Sequence, residues 1–190
     1  TSSVQYYNEP IDIKFQTDLS NPQVSTYFND ALRNDSYSLE VNNTYHVLLS
    51  NWSQEGTYKV VFTTSSDTLV ALTQIKKPYI DSKIDFPFTL TQKDKGTLKV
   101  TTLSPQGKEV TPDAVNVDIT TPENTKETVK LDCVANVCTK EYTYSLAGQY
   151  NYAVHSTKAN WDTVEVTQLT QVIKNDAVPY IVWMWFIWAG

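Results

Sequence analysis

The chain has 190 residues, 19% of them charged and 12% aromatic, with five glycines, two cysteines and a formal net charge of −6. This is the composition of a folded, tyrosine-rich chain, not of a disordered or collagen-like one. Residues 1–78 carry 5 basic and 8 acidic side chains and residues 79–176 carry 10 and 13, so each part is near −3; no basic run could follow a phosphate backbone, which argues against nucleic acid as a partner.

The chain starts at Thr1. A mature N-terminus left by signal-peptide removal, or a trimmed chain, is the expectation. From there the dominant period is two. Ile11, Ile13 and Phe15 alternate with Asp12 and Lys14, and Tyr37, Leu39 and Val41 alternate with Ser38 and Glu40. Leu98 and Val100 alternate with Thr97 and Lys99, and Val115, Val117 and Ile119 with Asn116 and Asp118. Each run predicts a strand with one face in a core and the other in water. Between two of them, "TYFNDALRND" (26–35) is expected to form one short turn of helix. Asn21-Pro22, Asn42-Asn43, Ser104-Pro105-Gln106-Gly107 and Thr121-Pro122-Glu123-Asn124 are turn signals. Many short strands so spaced predict an all-β chain of antiparallel sandwiches.

Three N-glycosylation sequons begin at Asn34, Asn42 and Asn51. Cys133 and Cys138 are separated by four residues, the wrong spacing for a C-x-x-C metal or redox motif. With no other cysteine and no nearby histidine, a metal site lacks ligands, so a disulfide across a tight hairpin is expected, in keeping with an oxidising compartment.

The chain repeats itself. "EGTYKVVF" (55–62) matches "AGQYNYAV" (147–154) at an offset of 92, and "LTQIKK" (72–77) answers "LTQVIK" (169–174) at an offset of 97. The second copy therefore carries five more residues, expected in the hairpin between the two strands. Two sandwich modules are predicted, at 1–77 and 78–175, followed by an apolar segment at 176–190.

"SPQGKEVTPDAVNVDI" and "YTYSLAGQYNYAVHSTKANWDTVEV" resemble the immunoglobulin-like modules of prokaryotic cell-surface proteins. The resemblance is carried by Pro105, Gly107, Val110, Ala114, Val115, Val117, Ile119, Gly148, Tyr150 and Tyr152, and reaches residues 1–77 only through the repeat. It implies tandem immunoglobulin-like β-sandwiches in which Tyr150 and Tyr58 form corners, their hydroxyls tied to nearby backbone. It also implies Trp161 at a hairpin tip or edge and Trp52 as a plug ahead of the corner. It says almost nothing about function.

No reaction centre is legible. Nucleophile-elbow, H-E-x-x-H, Walker and dinucleotide motifs are absent from the sequence. His46 and His155 stand alone in strand patterns, and a copper site would need two His, a Cys and often a Met together. Asp12, Glu40 and Asp118 read as solvated strand faces; "QKDKG" and "TPENTKE" lack the acids a calcium loop needs. A carboxylate pair for hydrolysis could come from distant positions, but nothing points to one. Lys14 and Lys59 raise the idea of a Lys–Asn crosslink, although alternation points Lys14 outward. No enzyme, cofactor or metal is expected.

The last run, "AVPYIVWMWFIWAG" (177–190), is uncharged and apolar at every position from Tyr180 to Trp188. It must be hidden on all sides. As a helix it would rise about 21 Å against roughly 30 Å of hydrocarbon. It is expected to be the outer half of a transmembrane helix that includes Tyr180, Trp183, Trp185 and Trp188, the first three near its start at the headgroup level where aromatic belts collect. Burial at a subunit contact is the alternative. The function expected is a membrane-anchored extracytoplasmic binding or scaffolding subunit at the cell surface, with protein subunits, membrane lipid and N-linked glycans as partners. A secreted filament subunit, in which "TSSVQYYNEP" completes a neighbour's sheet, is the alternative; a metal-free ectodomain of a respiratory-type complex is a weaker one.

Overall fold

The computed structural model describes residues 3–174, and every regular element among them is a strand. The chain forms two compact units, residues 3–79 with 160–162, and residues 80–159 with 163–174. The expected segment at 176–190 lies outside the described residues; among those described, no helix is long and apolar enough to cross a membrane.

The first unit holds β1 (Ser3–Tyr6), β2 (Ile11–Gln16), β3 (Gln23–Phe28), β4 (Ala31–Leu32), β5 (Ser38–Glu40), β6 (Thr44–Leu49), β7 (Gly56–Thr63) and β8 (Thr68–Lys76). They pair into two sheets, ordered β1-β8-β7-β3-β4 and β2-β6-β5. Ile11, Ile13 and Phe15 of β2 meet Tyr58, Val60 and Phe62 of β7 in one core, joined by Phe28, Tyr45, Val47, Leu49 and Ile75. Each such side chain, fully buried, contributes roughly 1.5–3 kcal/mol. "SVQY" is engaged within its own unit: β1 runs parallel to β8, with Val4 opposite Gln74.

Two local expectations are corrected here. "TYFNDALRND" forms no helical turn; β3 and β4 make a hairpin whose two loop residues, Asn29 and Asp30, have φ of 48° and 65°. Two positive φ values in succession make the tight turn that matches strand twist, and Asn and Asp tolerate them. Tyr37, Leu39 and Val41 do not enter the core but are 46%, 59% and 83% exposed. Leu39 lies in β5, a three-residue strand at the sheet edge that contributes nothing to the core, so its alternation has no facing layer to bury against.

The second unit holds β9 (Asp81–Asp85), β10 (Thr89–Thr91), β11 (Lys95–Leu103), β12 (Ala114–Thr120), β13 (Lys126–Lys130), β14 (Asp132–Val134), β15 (Val137–Thr143), β16 (Gly148–Thr157) and β17 (Glu165–Ile173). Its sheets run β10-β17-β16-β12-β13 and β14-β15-β11-β9. A four-stranded sheet facing a larger one of this order is an immunoglobulin-like sandwich. Leu98, Val100, Val115, Val117, Ile119 and Val154 are completely buried between the sheets. The rings of Tyr142, Tyr144 and Tyr150 pack edge to face at 5.0–6.2 Å, and the Tyr152 hydroxyl donates to that of Tyr144 at 2.9 Å.

The two units share a topology. Strand β1 corresponds to β10, each running parallel to the last strand of its unit, and the hairpin β7–β8 corresponds to β16–β17. Gly56 faces Ile75 where Gly148 faces Val172, and Tyr58 faces Thr73 where Tyr150 faces Thr170. The offset of 97 in the last strands is thus a register match. The five extra residues are not all in the loop. Strand β16 has ten residues against eight in β7, and segment 158–164 replaces segment 64–67. The two added residues of β16, Ser156 and Thr157, pair with Val115 and Ala114 of β12 and not with β17, which has nine residues like β8.

Candidate functional site

Both larger sheets turn one face to the core and one outward. In the first unit Tyr58, Val60 and Phe62 point in, so Lys59 and Val61 point out. Cross-strand pairing aligns Leu72, Lys59, Tyr27 and Leu32 in one row over four strands, and Val70, Val61 and Ser25 in the next. Leu32, Val70 and Leu72 are 58%, 52% and 40% exposed. The Lys59 ammonium lies over the Tyr27 ring at 4.8 Å and bonds Asp30 Oδ1 at 2.7 Å. The result is an apolar stripe with a single held cation, the kind of surface that proteins use for contact.

The same face of the second unit is polar. Its rows read Glu165, His155, Asn116, Lys130; then Thr167, Ala153, Asp118, Thr128; then Leu169, Asn151, Thr120, Lys126. All of these but Asn116 and Lys130, together with the exposed Phe88, line an open groove of about 940 Å³. His155 Nε2 lies 3.4 Å from Asp118 Oδ2 and 3.6 Å from Glu165 Oε2, while Thr128 donates to Asp118 at 2.6 Å. Beside this groove the Tyr142 hydroxyl bonds Glu127, and burial together with that carboxylate pushes its phenol up.

His46 has a similar setting in the first unit. It pairs with Asp12 through Nε2 and lies 3.6 Å from Glu40 through Nδ1, while Lys14 reaches Glu40 at 3.5 Å. Neither histidine is therefore alone, and Asp12, Glu40 and Asp118 are cross-strand partners as well as solvated groups. Sequence reasoning missed these pairs because each joins two or three strands. Among the described residues, no group of three or more His, Cys, Asp or Glu side chains is arranged to hold a metal ion. As for a crosslink, Lys14 and Lys59 each face a carboxylate, not an asparagine.

Cys133 and Cys138 form a disulfide across the β14–β15 hairpin, where they are directly opposed. Asn34, Asn42 and Asn51 are all exposed and lie between strands with φ of 60°, 64° and 55°. Their side chains are open to modification. Tyr180, Trp183, Trp185 and Trp188 lie outside the described residues.

The two tyrosines of the repeat are tied differently. The Tyr150 hydroxyl accepts from Leu146 N–H at 3.0 Å and donates to Leu146 C=O at 3.3 Å, a backbone corner. Tyr58 instead donates to Asp35 Oδ2 at 2.8 Å, a correction to the backbone tie expected of it. Asp35 also accepts from Thr26 Oγ1 at 3.3 Å and from Arg33 Nε at 3.0 Å. Burial works against this carboxylate, but the bonds from Arg33, Tyr58 and Thr26 outweigh it and hold the carboxyl below its ordinary range. Burial pushes the Tyr58 phenol far up, Thr26 opposes the rise and Asp35 adds to it. Trp52 closes this corner, with its ring 4.9 Å from Phe28 and 6.3 Å from Tyr58 and the Arg33 guanidinium 4.6 Å over it. Trp161 lies in the β16–β17 connection.

Neither a protein-family description nor a curated protein matches the chain. Solved structures with a similar arrangement include a pair of tandem immunoglobulin domains of titin, at 12% identity and a TM-score of 0.33, covering 92% of this chain and 94% of that one. Two titin domains in complex with telethonin align at 12% identity and a TM-score of 0.36, covering 92% of each chain. An engineered protein aligns at 15% identity and a TM-score of 0.40 over 53% of this chain and 21% of its own. Likenesses this distant say nothing of function, and the immunoglobulin-like character of both units rests on their own strand order and cores.

Proposed function

We propose that this chain is an extracytoplasmic binding or scaffolding subunit of a larger cell-surface assembly, held at a membrane by residues 176–190. It acts by contact, not by catalysis. The observation that carries the reading is the exposed row Leu72, Lys59, Tyr27 and Leu32 with Val61 and Val70 beside it. Solvated sheet faces are ordinarily polar, and this one offers a partner protein an apolar surface. The polar face of the second unit gives the same scaffold a second, chemically different surface. The disulfide agrees with an oxidising compartment, and the exposed sequons with one where N-linked glycans are added.

Two measurements test the reading. In membranes of the producing cell the chain should resist extraction by high salt and be released by detergent; release by salt alone overturns the anchor. Leu32→Glu with Leu72→Glu should leave folding intact, because both side chains are already exposed, and should abolish crosslinking to the neighbouring subunit. Unchanged crosslinking overturns the role of the stripe.

A further inference from the structure

Strand β5 ends its sheet, and its counterpart β14 ends the matching sheet, as the orders β5-β6-β2 and β14-β15-β11 show. Neither unit places a further strand on this side, so both edges must be protected by other means. They are protected unequally. In the second unit Cys133 and Cys138 tie β14 to β15, and Asp132 pairs with Lys140. In the first unit residues 36–43 carry a single charge, Glu40, which faces Lys14 and His46. Tyr37 leans on the Tyr45 ring at 5.6 Å, but Leu39 and Val41 stay 59% and 83% exposed. A thinly charged edge strand with apolar side chains pairs readily with other chains unless something covers it.

We propose that Asn42 carries an N-linked oligosaccharide whose first sugars cover Leu39, Val41 and the free edge of β5. The inference rests on the extracytoplasmic reading above. Val41, Asn42 and Asn43 form the loop between β5 and β6, and Thr44, the third residue of the sequon, opens β6. Asn42 and Asn43 are exposed; Gln16 Nε2 donates to the Asn42 carbonyl at 3.4 Å, which leaves the side-chain amide free. The other two sequons are less well suited. Asn34 is followed by the Asp35 carboxylate, fixed by Arg33 and Tyr58, which repels an anionic sugar donor. Asn51 borders Trp52, which Phe28 and Arg33 already cover. Residues 80–174, whose edge has its disulfide, contain no Asn-x-Ser/Thr sequon. The donor is a lipid-pyrophosphate-linked oligosaccharide. Asn42 Nδ2 attacks the sugar C1; the C1–N bond forms as the C1–O bond to the pyrophosphate breaks. The lipid pyrophosphate leaves with the electron pair, the transferase takes one amide proton, and nothing is oxidised or reduced. A sugar ring has an apolar C–H face and a polar rim, so it covers aliphatic side chains while its hydroxyls stay in water. At about 3.3 Å per strand residue, Leu39 lies roughly 10 Å back from Asn42, within reach of an asparagine side chain extended by one or two sugar rings.

The test uses the full chain purified from the producing cell in mild detergent. Mass spectrometry of its peptides should find a sugar on Asn42. Enzymatic removal of the glycan from the folded protein should speed amide exchange in β5 about tenfold, the equivalent of about 1.4 kcal/mol, and should raise self-association in sedimentation velocity. Asn42→Gln should behave like the deglycosylated protein, and adding Leu39→Thr and Val41→Thr to it should remove the extra self-association, which assigns that association to this edge. An unmodified Asn42 overturns the proposal, even where Asn34 or Asn51 carries sugar. A glycan on Asn42 whose removal changes neither exchange nor association overturns its covering role. Membrane extraction is read separately, so a chain that needs detergent for release but has a bare Asn42 fails here and leaves the anchor standing.

Discussion

Tyr58 and Tyr150 occupy equivalent places in the repeat, yet the pH dependence of removing their hydroxyls should differ. Tyr58→Phe deletes one donor to the Asp35 carboxylate at 2.8 Å. A hydrogen bond to a charged group contributes about 1.5–3 kcal/mol, and Arg33 and Thr26 stay in place, so the lower end, about 1.5 kcal/mol at pH 7, is expected. Asp35 titrates below its ordinary value when folded. Its contribution is therefore fully present above the unfolded carboxyl value, about 3.9, and is lost as pH falls through the folded value. The cost of Tyr58→Phe should shrink over that acid window. Tyr150→Phe breaks bonds to the amide and carbonyl of Leu146, neither of which titrates, so a cost of about 1–3 kcal/mol should stay constant. Urea titrations at a series of pH values, read by hydrogen exchange in peptides from β7 and from β16, separate the two units. The reasoning is refuted if the cost of Tyr58→Phe does not change as pH falls through the titration of Asp35, or if the two variants share one pH profile. Asp35→Asn combined with Tyr58→Phe should show a coupling of similar size at pH 7.

Gly148→Ala should lower the stability of the second unit by roughly 1–3 kcal/mol, because Gly148 has φ of +127° and an added Cβ would meet the Pro122 Cβ at 2.8 Å; hydrogen exchange in β16 reads it. Replacing Cys133 and Cys138 together by Ser should cost about 2 kcal/mol, the low end for a disulfide, because they are only five positions apart; denaturant midpoints of the two proteins check it. Arg33→Ala should destabilise the first unit more than an exposed ion pair would, by about 1–2 kcal/mol, since it removes both the Asp35 bonds and the packing over Trp52; Trp52 fluorescence during unfolding follows it.

The core strands were legible because period-two alternation is itself the sandwich: Ile11, Ile13 and Phe15, and Val115, Val117 and Ile119, are buried where the pattern places them. The same pattern misled at Tyr37, Leu39 and Val41, because alternation reports which way a side chain points and not whether a second layer stands opposite. Asn29-Asp30 was a hairpin signal hidden in a segment that looks helical by composition alone. The site was least legible. The stripe of Leu72, Lys59, Tyr27 and Leu32 draws each member from a different strand, as do the carboxylates around His46 and His155, so sheet register creates both.

The unequal treatment of the two tyrosines also says how a repeated sandwich acquires separate tasks. Both corners need a partner for a buried phenol, since an unmet buried hydroxyl costs several times what a met one contributes. The second unit finds it in backbone four residues upstream, a local solution that constrains nothing else. The first unit finds it in Asp35, 23 residues away. That carboxylate is held in turn by Arg33, whose guanidinium rests on Trp52. This chain of contacts fixes the segment leading out of β4, the strand that carries Leu32 at the end of the apolar stripe. A rigid stripe loses less conformational freedom when a partner docks on it. Loosening the corner with Tyr58→Phe should therefore weaken partner contact at Leu32 although neither Tyr58 nor Asp35 touches the stripe, whereas Tyr150→Phe should leave that contact unchanged. Equal effects of the two substitutions on crosslinking through the stripe would refute the link between the corner and the surface.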